Sequence, residues 1–263
     1  MPWLLSTSAA CAVYAPARVS VSSNGTEGNA VADGGAISAD GRWVVFSSDA
    51  TNLVTGDTNG FRDIFLHDRS TSETTRVSVA TGGIEASGGQ SLTTDISDDG
   101  RYIAFLSEAT NLVAGDTNGF RDAFVHDRIT GVTTRVSVST AGVQGDAAVS
   151  DVKISGDGRY VAFASPATTM VAGDTNGLGD TFLHDRLTGE TTRQSVTSGG
   201  AEGTGGTLSQ APGISSDAAL YVFSSGNTNL VASDTNASID IFVRDRTAST
   251  TTRVSVATGG TEG

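Results

Sequence analysis

The chain has 263 residues, 16 basic against 29 acidic, for a formal charge of −13. Lys153 is its only lysine, so there is no basic stripe to follow a phosphate backbone, which argues against nucleic acid as a partner. Cys11 is its only cysteine and no run of eighteen apolar residues occurs, so neither an internal disulfide framework nor a membrane-spanning helix is expected.

Residues 1–17, MPWLLSTSAACAVYAPA, are apolar and small, like the later part of a secretory signal but without its basic start, and are set apart from a repeat domain over 18–263. In that domain the tripeptide DTN begins at Asp57, Asp116, Asp174 and Asp234, a spacing close to 59 residues. RVSV begins at Arg18, Arg76, Arg135 and Arg253, with RQSV at Arg193. An aromatic, Phe65, Phe124, Phe182 or Phe242, lies eleven residues before each of the last four arginines. The repeats are 18–75, 76–134, 135–192 and 193–252, with a closing strand over 253–257.

Each unit predicts a first strand ending at Ile37, Ile96, Ile154 or Ile214. A tight turn follows at Asp40-Gly41, Asp99-Gly100 or Asp157-Gly158, Asp-Gly between apolar runs being a strong hairpin signal. The second strand is WVVFSS, YIAFLS, YVAFAS or YVFSS, and the DTN loop leads to a third, DIFLHD, DAFVHD, DTFLHD or DIFVRD. TTRVSV or its variant is the fourth. Four short antiparallel strands with apolar positions on both faces describe a blade covered by similar sheets on either side, hence an all-β propeller. A β-solenoid repeats at about 20–30 residues without internal hairpins and fits less well. RVSV occurs five times and the other strands four, leaving one surplus outer strand. Either Arg18–Val21 closes the ring on the last blade, or the chain is an arc of a larger propeller.

The run ISADGRWVVFSSDATNLVTGDTNGFRDIFLHDRSTSETTRVSV resembles the repeats of the TolB-like, or PD40 (WD40-like), propellers of bacterial envelope and secreted proteins, and the likeness extends over about residues 18 to 257. The resemblance implies a non-catalytic scaffold that binds proteins, in the periplasm or outside the cell.

The DTN loops offer the one motif with metal chemistry. Asp57, Asn59 and Asp63 place oxygens around a turn, as do Asp116, Asn118 and Asp122, then Asp174, Asn176 and Asp180, then Asp234, Asn236 and Asp240. Hard Ca²⁺ takes such ligands, and the loops resemble part of the calcium loops of integrin-type propellers. The first acidic position of that pattern falls on Thr55, Ala114, Ala172 and Ala232, and in the fourth copy Ala237 replaces a glycine. The other reading is that these side chains bond their own backbone in Asx turns. His67, His126 and His184 share one position, taken by Arg244 in the fourth copy, and are expected as partly exposed residues pairing with Asp68, Asp127 and Asp185. Arg76, Arg135, Arg193 and Arg253 are expected to pair with an aspartate of the same blade.

No nucleophile elbow, HExxH helix, phosphate loop or cysteine pair is present, and every polar landmark recurs, which favours architecture over catalysis. The expected partner is a protein, or a second copy meeting open propeller edges. A glycan is the alternative, although Trp3 and Trp43 do not repeat as a sugar platform would, and a module detached from a larger protein is the third reading.

Overall fold

A computed structural model describes residues 16–206, 209–232, 234–236 and 238–258, so most of the expected signal-like segment lies outside the described residues. Among the described residues sixteen strands form four antiparallel sheets and no helix occurs. The first blade is β1 (Ala32–Ile37), β2 (Trp43–Ser48), β3 (Asp63–Asp68) and β4 (Glu73–Arg76). The second is β5 (Ser91–Ile96), β6 (Tyr102–Ser107), β7 (Asp122–Asp127) and β8 (Val132–Arg135). The third is β9 (Asp151–Ile154), β10 (Tyr160–Ser165), β11 (Asp180–Asp185) and β12 (Thr191–Arg193), and the fourth β13 (Gln210–Ile214), β14 (Leu220–Ser225), β15 (Asp240–Asp245) and β16 (Thr250–Arg253). Each sheet is a simple meander in chain order, and the innermost strands pack in series, β1 on β5, β5 on β9 and β9 on β13.

The repeated phenylalanines fix the middle of every blade. Phe46 stacks on Phe65, Phe105 on Phe124, Phe163 on Phe182 and Phe223 on Phe242, with ring centroids 5.5–5.9 Å apart. The blades then join through their faces: Val45 and Leu66 of the first pack with Ile103, Phe105 and Phe124 of the second, and the pattern recurs at the next two junctions.

The fourth strand was expected to run through RVSV, but its ladder ends at the arginine: Val77 still donates to the Ile64 carbonyl (2.8 Å), then a serine hydroxyl replaces the backbone acceptor and the following carbonyl turns to the next blade. Ser78 uses its hydroxyl as acceptor for the Ile64 N–H (3.0 Å), and Thr133 of the next blade donates its hydroxyl to the Val79 carbonyl (2.5 Å). The surplus copy at Arg18–Val21 is accordingly not an outer strand of the last blade, a place that β16 fills. It is the linking segment in front of the first blade, receiving the Thr74 hydroxyl at the Val21 carbonyl (2.5 Å).

The Asp-Gly turns lie where blades approach most closely. A side chain on Gly100 would come within 2.2 Å of the Trp43 ring, and one on Gly158 within 2.1 Å of Tyr102, and both glycines have φ +71°. Chirality and space together therefore demand glycine there. The backbone of these turns also joins the blades: the Ala39 N–H donates to the Asp98 carbonyl (3.0 Å), Asp98 to Gly156 (2.9 Å) and Gly156 to Ser216 (3.0 Å).

Candidate functional site

The DTN loops converge on arginine. Arg76 Nη1 lies 3.2 Å from Asp57 Oδ1, 3.1 Å from Asp63 Oδ2 and 2.6 Å from Glu85 Oε1. Arg135 repeats this with Asp116 (3.1 Å), Asp122 (3.3 Å) and the Gln144 amide oxygen (2.9 Å). Arg193 does so with Asp174 (3.3 Å), Asp180 (3.0 Å) and Glu202 (3.0 Å), and Arg253 with Asp234 (3.1 Å) and Asp240 (3.2 Å). Ser78, Ser137 and Ser255 hold the other oxygen of Asp63, Asp122 and Asp240 at 2.5–2.6 Å, and Ser195 does the same for Asp180.

The asparagines do what the turn reading expected. Asn59 Oδ1 accepts the Phe61 N–H (2.9 Å), Asn118 that of Phe120 (3.1 Å), Asn176 that of Leu178 (2.8 Å) and Asn236 that of Ser238 (3.0 Å). The amide nitrogens of the first three point inward, Asn59 Nδ2 donating to Asp63 (2.8 Å) and to the Ala86 carbonyl (3.1 Å). Calcium takes six to eight oxygens at about 2.3–2.6 Å. Here Asn59 presents a donor to Asp63 and a guanidinium stands among the carboxylates, while one oxygen each of Asp57, Asp63 and Glu85 lies within 4.8 Å of the others, a spacing that could hold a metal ion.

The electrostatics follow from burial. Desolvation, with Asp63 nearby, raises Asp57 above the usual carboxylate range, and desolvation likewise raises Asp63, Asp116 and Asp174. Glu85 is lowered to about 2, since bonds from the Thr58 backbone and hydroxyl and from Arg76 outweigh its desolvation. Burial works against the Arg76 charge too, yet the carboxylates around it, Asp63 foremost, outweigh burial and raise it.

The fourth member of the cluster was missed from the sequence although it left a signal. Glu85, Gln144 and Glu202 each stand nine residues after the arginine, and Glu27 after Arg18, with which it pairs.

The histidines depart from expectation in both exposure and partner. His67, His126 and His184 are buried, and Nδ1 of each lies 2.9 Å from the hydroxyl of Thr74, Thr133 or Thr191. That hydroxyl already gives its proton to the carbonyl of Val21, Val79 or Val138, so the ring must donate. Burial lowers all three below the ordinary histidine range. Asp68, Asp127 and Asp185 pair instead with Arg42, Arg101 and Arg159, two hydrogen bonds each at 2.6–3.0 Å.

What remains uncommitted is a face of the fourth blade. At each inner junction an aromatic is held between two guanidinium groups: Trp43 between Arg42 and Arg128, Tyr102 between Arg101 and Arg186, Tyr160 between Arg159 and Arg246. Such contacts are worth roughly 0.5–2 kcal/mol each. They also engage Trp43 within the protein. In the fourth blade Ala219 and Leu220 stand at these positions. Leu220, Val222, Ile241 and Val254 are 36–47 % exposed, whereas Val45, Ile64 and Val77, the counterparts of the last three in the first blade, are buried. At the opposite end Ile37 is 55 % exposed, while Ile96 and Ile154 at its position are buried.

Among solved structures the chain is similar to TolB from Acinetobacter baumannii, at 16% identity and TM-score 0.50 over 86% of this chain and 43% of that one. It is similar to a putative TolB from Agrobacterium tumefaciens, at 16% identity and TM-score 0.51 over 82% of this chain and 62% of that one. An oligogalacturonate lyase in complex with manganese matches at 14% identity and TM-score 0.52 over 87% of this chain and 54% of that one. The chain thus spans about half the length of these proteins. No protein-family model matches it, and no curated protein matches it in sequence. The fold is that of a TolB-like β-propeller.

Proposed function

We propose that this chain is a non-catalytic propeller scaffold that works by association, with the bare face of its fourth blade docking the first blade of a second copy. The carrying observation is that this face is the same surface that receives a neighbouring blade at three other junctions, and it carries exposed Leu220, Val222, Ile241 and Val254. The first blade offers the complementary half through exposed Ile37. The backbone series agrees in polarity. It ends at Ser216, whose N–H is the next donor in sequence, and begins at Ala39, whose carbonyl is the matching acceptor.

Two such head-to-tail junctions related by a two-fold axis close a ring of eight blades, within the usual range of about four to eight. The non-catalytic part of the reading is supported by the repeated ionisable clusters, which internal pairing consumes. The reading keeps the envelope or secreted setting that the repeat resemblance implies. Sedimentation equilibrium tests it. Wild-type protein is expected at twice the chain mass of 26.6 kDa, and Val222→Asp with Ile241→Asp at the mass of one chain with unchanged circular dichroism. A single-chain mass for the wild type at every concentration overturns the reading, as does a dimer that survives both charges.

A further inference from the structure

The repeat accounts for almost every polar side chain near the blades but not for the lysine. At the penultimate place of the innermost strands stand Ala36, Asp95, Lys153 and Gly213, so the only lysine of the chain has no counterpart in the other blades. A cavity of about 350 Å³ lies between the innermost strands of the first three blades, lined by Asp33, Ser47, Arg62, Thr93, Thr94 and Lys153 among others. That volume is within the range that holds small ligands, about 300–1,000 Å³. Larger hollows at the rim, beside Ser22 and beside Gln144, are lined by side chains already bonded to one another.

Two irregularities border the cavity. The pairing of β1 with β2 shifts register between Asp33 and Ala36, and that of β5 with β6 between Leu92 and Thr94. At the first bulge Gly34 has φ +59°, which glycine tolerates, but at the second the same place is Thr93 with φ +36°. A β-branched residue in the left-handed region is strained, and such strain concentrates where a ligand is clamped. Bulges also re-aim side chains beside binding sites.

Two cations line the cavity and they differ in commitment. Arg62 gives Nε and Nη2 to the Asp49 carboxylate (3.0 and 2.6 Å) and holds Nη1 3.7 Å from Asp33. The Lys153 ammonium makes no hydrogen bond or ion pair among the described residues. Two carboxylates lie near it but are bonded elsewhere: Asp95 accepts the Ile154 N–H (3.0 Å) and Asp151 the Val152 N–H (2.8 Å), and desolvation raises both against the lowering pull of those N–H bonds and of Lys153.

We propose that this axial cavity binds a small mono-anionic hydroxy acid, such as a uronate sugar, with Lys153 countering the carboxylate and Asp33 and Thr93 meeting the hydroxyls. A neutral sugar would leave the ammonium without a direct ion pair. A phosphate dianion would set a second negative charge against Asp33. Titration calorimetry of the full chain with glucuronate, glucose and inorganic phosphate tests this.

Glucuronate is expected to bind, glucose to give no heat, and phosphate to bind more weakly. Lys153→Met is expected to lower glucuronate affinity at least about tenfold, and Lys153→Arg to retain most of it, which separates charge from packing. Thr93→Gly is expected to raise the thermal midpoint while weakening binding. No heat with glucuronate, equal binding of glucose, or full affinity in Lys153→Met would each overturn the proposal.

Discussion

Three faces of this propeller are buried and a fourth, built on the same strand pattern, is bare. At the second junction Ala104 and Val125 pack with Val161, Phe163 and Phe182, and at the third Ala162 and Leu183 pack with Tyr221, Phe223 and Phe242. In the fourth blade Val222 and Ile241, the counterparts of Ala104 and Ala123, meet no blade and are exposed. A blade is thus half a core. Its central phenylalanines stack within the sheet, but its outward residues leave water only when another sheet arrives, at about 25 cal/mol per Å². The fourth blade marks its difference in sequence too: the arginine–aromatic pair of the inner junctions has become Ala219-Leu220, so its face offers hydrophobic contact without the guanidinium clamp.

The largest expected effect comes from an inner blade's buried arginine. Arg135→Ala strips the cation from between Asp116 and Asp122, and removing one partner of a buried pair costs about 3–5 kcal/mol. Urea denaturation measures this. Added Ca²⁺ or chelator is expected to leave the wild-type midpoint unchanged, because the guanidinium already stands at the centre of the carboxylates. A calcium-dependent rise would show that the ion displaces the arginine and would reverse that assignment.

A smaller effect isolates the neighbouring blade itself. Gly100→Ala meets both a positive φ and the Trp43 ring, and is expected to cost about 2–4 kcal/mol. Gly41→Ala has the same φ requirement but no atom nearer than 3.6 Å, and is expected to cost about 1 kcal/mol. Equal losses in urea denaturation would break the claim that blade contact, not turn geometry, selects glycine at the junctions.

The mildest test uses pH and the first three blades. His67, His126 and His184 have values lowered by burial below the ordinary 6.5. The unfolded chain therefore takes up more protons just under that pH, so their contribution is complete above 6.5 and lost as pH falls below it. Asp68, Asp127 and Asp185, lowered chiefly by Arg42, Arg101 and Arg159, lose theirs only as pH falls below 3.8. Thermal melts from pH 7 to 5 should show the midpoint decline. The fourth blade, with Arg244 bonded to the Thr197 carbonyl and the Thr251 hydroxyl, adds nothing to the histidine window.

Much of the architecture was legible because it rests on local chemistry. Asp-Gly turns and alternating apolar residues each act within a few residues, and repetition at nearly constant distance placed all four blades. The pairing of Arg76 with aspartate was legible as well, since strand neighbours share a sheet. Its third partner, Glu85, was overlooked although its counterparts recur nine residues after each arginine. The histidines were misread because their cover, the linking segment of the preceding repeat, stands about fifty residues away in sequence, as Val21 does from Thr74.

The sequence by itself therefore determined an all-β propeller of four-stranded blades, since periodicity and turn chemistry leave few ways to bury such strands. Only the tertiary structure decided what fills the aspartate loops, which blade face stays bare and where the single lysine points. Those depend on side chains from separate strands meeting in space, and no local pattern reports which charge or which sheet arrives there first.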